Sequence, residues 1–144
     1  MLLRAALVAL CAAAIVFGAT RLHHDDACQN ARGAIVTALF HHREPAGGLA
    51  HQQQRLVDSC RDRTVLAFVS TVETTAGRHT FALALARRVT RDEPHNRVGW
   101  IALSQALARS DPRASAAAVA RAKRIDPMGV VPAAAGAGAA RRGA

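Results

Sequence analysis

The stretch EPHNRVGWIALSQALARSDPRASAAAVARAKRIDP, Glu93–Pro127, holds two helix starts and a stop. Pro94 suits the first turn of a helix, where its missing N–H costs nothing. Trp100, Leu103, Ala106 and Leu107 follow at helical spacing on one face. Asp111-Pro112 is a second start, an N-cap acceptor followed by Pro at the first helical position. Ala116, Val119, Ala122 and Ile125 continue that second helix until Asp126-Pro127 stops it. Two short helices joined by about four residues fold back on each other as a hairpin.

This segment resembles a tetratricopeptide (TPR) repeat, a helix–turn–helix unit of about 34 residues. Trp100, Leu103, Ser104 and Leu107 fill the large, Leu, small and large slots of the family's first helix. Ser115, Val119, Ala122 and Pro127 keep the small, large, small and Pro spacing of its second. The turn is one residue shorter than usual, and Val119 stands where an aromatic is common. The small residues let the two helices approach, and the large ones fill the space between them. The resemblance implies an all-α fold, a short α-solenoid whose first helices line a groove for a protein or peptide. On this segment it implicates Asn96, Arg97, Gln105 and Arg109, around Trp100, Ser104 and Leu107, in holding that partner. Trp100 as a core residue is the competing reading.

Composition agrees with close-packed helices. The 144 residues include four Phe, one Trp and no Tyr, so a core must come mainly from Ala, Leu and Val. Lys123 is the sole lysine among 19 basic residues, a bias that GC-rich codons explain. The formal net charge of +9 favours solubility and anionic partners.

Working outward, residues 1–21 read as a membrane anchor or export signal. Arg4 precedes the apolar run Ala5–Ala19, which is shorter than the roughly 20 residues of a comfortable span. An uncleaved anchor through residues 2–20 is favoured over a cleaved signal, because bulky Phe17 spoils the site before Ala19. Arg4 and the amino terminus then stay cytoplasmic, and the domain is extracytoplasmic, or secreted if cleavage occurs. Residues 22–127 form the helical domain. Asp25 or Asp26 caps a helix to about His42, with Cys28, Ala31, Ile35, Ala38 and Leu39 inward; REPAGG (43–48) breaks it. A mate runs from about Leu49 to Cys60, with Leu49, Gln52 or Gln53, Leu56 and Val57 on the same side as the cysteine.

Asp62 or Thr64 opens the next helix, with Val65, Phe68 or Val69, Val72 and Ala76 inward. Its TVLAFVSTV is β-branched, but no neighbouring segment offers a partner strand. Gly77 ends it, and Thr80–Thr90 is its mate, where Ala82, Ala86, Val89 and Pro94 repeat the spacing of the last hairpin. Glu73 falls in a slot meant for a large apolar residue. The expected hairpins are thus about 26–60, 62–92 and 94–126, and 128–144 is an Ala/Gly/Pro tail expected to be disordered.

Cys28 begins one helix and Cys60 ends its antiparallel mate, so the two thiols fall within disulfide reach. An exported location would let that bond form. Cys11 lies in the apolar run.

No nucleophile–base arrangement, phosphate loop or carboxylate pair points to an enzyme, and no cofactor or small-molecule substrate is expected. His23-His24 and His41-His42 lie roughly 25 Å apart along a helix and cannot share one metal. An extracytoplasmic metal binder using either pair is a weaker alternative. Arg87, Arg88, Arg91, Arg121, Lys123 and Arg124 on the second helices raise another, a binder of nucleic acid or an anionic surface. The aromatic platforms of single-strand binding are missing, so nucleic acid is not expected. The reading favoured is a non-catalytic interaction module or scaffold of the cell envelope.

Overall fold

Among its described residues the computed structural model has six helices: α1 (Leu2–His41), α2 (Leu49–Ser59), α3 (Arg63–Thr75), α4 (His79–Asp92), α5 (Arg97–Leu107) and α6 (Pro112–Ile125). It describes residues 2–130, and the side chains at 2–9, 15 and 18–24 lie outside that description. No strand occurs among the described residues, so the chain is all-α as expected. The expected tail beyond residue 130 lies outside the described residues.

Consecutive helices pair as α1 with α2, α3 with α4 and α5 with α6. The first members also touch in series, α1 on α3 and α3 on α5, and α4 packs on α5. α3 therefore sits in the middle, and its sequence shows it: Val65, Leu66, Ala67, Val69, Ser70, Val72 and Glu73 are all buried. Its β-branched Val65, Val69 and Val72 are tolerated because they are buried in the packing, and Thr71, Thr74 and Thr75 each return a hydroxyl to the carbonyl four residues back. That local bond satisfies groups that would otherwise compete with the helix. Phe68 points out, so Val69 takes the inward place.

Helix ends follow local chemistry. Asp62 caps α3 through the N–H groups of Thr64 and Val65, and Asp111 caps α6 through Ala114, with Pro112 in the first turn. Gly77, at φ 79°, ends α3. Its N–H donates to Thr74 O while that of Arg78 reaches Glu73 O, the paired bonds of a Schellman close.

Two expected boundaries move. Pro94 is not in the first turn of α5: Asn96 is the cap, its Oδ1 accepting from Gly99 N at 3.0 Å. Neither Asp25 nor Asp26 starts a helix, because α1 runs unbroken from Leu2 to His41. Arg21–Ala27 contains no Pro or Gly, and a cap residue permits a helix start without compelling one. At about 1.5 Å per residue, α1 extends roughly 60 Å against about 16 Å for α2. Leu10, Val16 and Phe17 on its first half are exposed. Among the described residues no helix is long and apolar enough to cross a membrane.

The core runs from Cys28, Ala31 and Ile35 through Leu56, Leu66 and Val69 to Leu85, Val89, Leu103 and Leu107. Cys28 and Cys60, both buried, are bridged. In α6 the inward residues are Ser115, Ala118 and Ala122, while Ala116, expected inward, is exposed.

Candidate functional site

The two C-terminal hairpins close at equivalent points by opposite means. Ser70 Oγ on α3 donates to Ala82 O on α4 at 2.8 Å. In the next hairpin Ser115 Oγ on α6 donates to Ser104 O on α5 at 2.7 Å. Ser70 and Ser104 are 34 positions apart, and Ala82 and Ser115 are 33. The same close crossing thus recurs, with the donor moved to the other helix. The one-residue difference is the stretch between the crossing residues, 12 positions from Ser70 to Ala82 and 11 from Ser104 to Ser115. Glu73 and Leu107, also 34 apart, are both buried in the same slot.

The residues that the sequence implicates in partner binding divide between structural and free roles. Asn96 caps α5 and also donates its amide to Glu93 Oε2 at 2.7 Å. Arg97 reaches the end of α6, with Nε 3.6 Å from Asp126 Oδ2 and a terminal nitrogen donating to Val130 O. Ser104 is buried at the α5–α6 crossing and donates to Ile101 O. Trp100 is half-buried against the core; its Nε1 donates to Pro94 O, and the Arg121 guanidinium lies 6.0 Å from its ring centre. It is mainly a packing residue that locks the start of α5. Arg109 is exposed. Gln105 is half-buried, and its Oε1 is enclosed without a hydrogen-bond partner.

The first helices present other residues that the sequence did not single out. Phe68 (45% exposed) and Val98 (42%) leave apolar surface on α3 and α5. The Arg32 guanidinium on α1 lies 5.4 Å from the Phe68 ring centre, a cation–π contact across the α1–α3 seam. Periodicity could not choose between Phe68 and its neighbour Val69, since either continues a helical stripe.

A polar joint lies beneath this face. Glu73, fully buried on α3, accepts from Gln53 Nε2 of α2 at 2.7 Å and faces Arg78 Nε at 3.3 Å. Burial holds its carboxyl above the ordinary value, against the lowering pulls of Gln53 and Arg78. Nearby, Arg88 Nη1 on α4 donates to Val57 O of α2. These bonds fasten the first hairpin to the rest.

Among the described residues, no group of three or more His, Cys, Asp or Glu is placed to hold a metal ion. His41 and His42 are exposed at the end of α1, and the side chains of His23 and His24 lie outside the described residues. Compared with known proteins, the chain matches no family model, no curated protein and no solved structure.

Proposed function

We propose that this chain is a non-catalytic, TPR-like interaction module, a scaffold of the cell envelope that binds a protein or peptide across its first helices. The recurring close crossing, Ser70 with Ala82 and Ser104 with Ser115, is the observation that carries the reading. Two hairpins closing at the same register are what a helical repeat requires, and side-by-side first helices leave a shared binding face. Phe68 and Val98 supply that face with exposed apolar area.

The proposed location is extracytoplasmic, with residues 2–20 as the anchor. Its support is the Cys28–Cys60 bridge, because such bonds persist in oxidising compartments. The exposed apolar side chains of Leu10, Val16 and Phe17 on the first half of α1 add to it.

The test is site-specific photo-crosslinking in membranes of the producing cell, with the reactive residue at Val98. One discrete adduct that disappears in Phe68→Glu supports the reading. Adducts that are absent, or unaffected by Phe68→Glu while the helical content is intact, overturn it.

A further inference from the structure

Two clefts, of about 440 and 400 Å³, flank the first turns of α4 and share His79, Thr80 and Ala84. Partly exposed apolar residues line them, Phe81 in the first and Leu83 in the second, and the second also includes the buried Ala106. Their charged rim is basic, Arg78 in the first and Arg87 in the second, and no carboxylate lines either. The comparable cleft beside the α1–α2 connection differs, because Glu44 offsets Arg43 and Arg55 there. Arg87 is exposed and makes no ion pair among the described residues. Arg78 touches Glu73 through Nε and keeps about half its side chain in solvent. His79 Nδ1 is enclosed without a hydrogen-bond partner.

We propose that this α4 groove docks an acidic segment of a partner protein, on a surface separate from the first-helix face. Charge complementarity sets the sign of the ligand, and the apolar floor sets its kind. Phosphates would use the two guanidiniums but leave Phe81 and Leu83 wet, whereas a peptide can place apolar side chains over them.

The test uses the full-length, disulfide-bridged chain and a short fluorescein-labelled peptide with Glu at every fourth position and Leu and Ala between. Fluorescence anisotropy is expected to show saturable binding that the Lys-for-Glu peptide lacks. Arg87→Glu is expected to weaken it about tenfold or more, and Ala84→Leu, which adds bulk at an exposed residue lining both clefts, to weaken it as well. Arg124→Glu removes the same charge from the exposed end of α6 and is expected to change affinity by less than about twofold. Circular dichroism confirms that each variant is folded. Equal losses in Arg87→Glu and Arg124→Glu, no saturable binding, or equal competition by a single-stranded DNA oligonucleotide would each overturn the proposal.

Discussion

At the α1–α2 end of the chain, a sulfur–sulfur bond joins Cys28 to Cys60; at the α5–α6 end, the fastening is a serine hydroxyl among alanines. The local signals differ in the same sense. α6 starts with an Asp cap and Pro112, four residues after α5 ends. α2 starts at Gly48, φ 82°, with no side-chain cap, after a connection that leaves α1 through His42 at φ 51°. A non-glycine residue in that left-handed region costs about 1 kcal/mol or more. Where the turn chemistry specifies the hairpin, packing suffices to close it. Where it does not, a covalent link restricts the unfolded chain instead.

The largest expected effect tests that contrast directly. Replacing Cys28 and Cys60 with Ser should cost about 3–4 kcal/mol, as expected for a bridge closing a separation of 32 residues. Hydrogen exchange should lose protection chiefly in α1 and α2 while α5 and α6 keep theirs. Uniform loss across all six helices would dissolve the distinction between the two ends.

Next in size is Gly99→Ala. A methyl there would lie 2.5 Å from Val89 Cγ1, in the buried contact of α5 with α4. Overpacking of this kind costs about 1–3 kcal/mol, more than the roughly 0.5–1 kcal/mol that Ala gains over Gly in a helix. Chemical denaturation should show a net loss, and an unchanged midpoint would mean that the α4–α5 contact is looser than its geometry implies. Asp111→Ala removes the α6 cap and should cost about 1 kcal/mol. Asn restores the acceptor, so recovery in Asp111→Asn separates capping from charge.

The last expectation concerns the joint between the two ends and is read as a slope. Glu73 binds its proton more tightly in the folded chain than at its ordinary value of 4.5, chiefly through burial. The folded state therefore holds more protons than the unfolded state above that value. Glu73's contribution to stability is complete below 4.5 and is lost as pH rises through the raised folded value. Glu73→Gln should flatten this fall and raise the urea midpoint at neutral pH. A parallel pH profile in the variant would show that Glu73 titrates normally.

Much of this arrangement was legible because it rests on residues with few alternatives. Asp62, Asp111-Pro112 and Gly77 mark helix ends by backbone geometry, and Cys28 and Cys60 follow from the antiparallel hairpin. The misplacements have equally physical causes. Pro94 and Asn96 are competing start signals two residues apart, and Asn96 prevails because its side chain reaches Gly99 N. Ala114–Ala118 is so uniform that its pattern does not fix which side faces in. Ser104 was read both as a small packing residue and as a groove residue, and it is buried at the helix crossing. The second α4 cleft was illegible, since Arg87 and Ala106 come together only through the packing of α4 on α5.

Because α1 passes through Asp25 and Asp26 without a break, the first half of that helix and the first hairpin share one axis and one angular phase. Each residue turns the chain by about 100°. A single residue inserted between Ala19 and Asp25 would therefore rotate Cys28, Arg32 and everything fastened to them by about 100° relative to Leu10 and Phe17, and lift them about 1.5 Å. Four inserted residues, about 400°, would nearly restore the original bearing about 6 Å further out. The helix works as a shaft, and the compass direction of the binding surfaces is set by the number of residues along it.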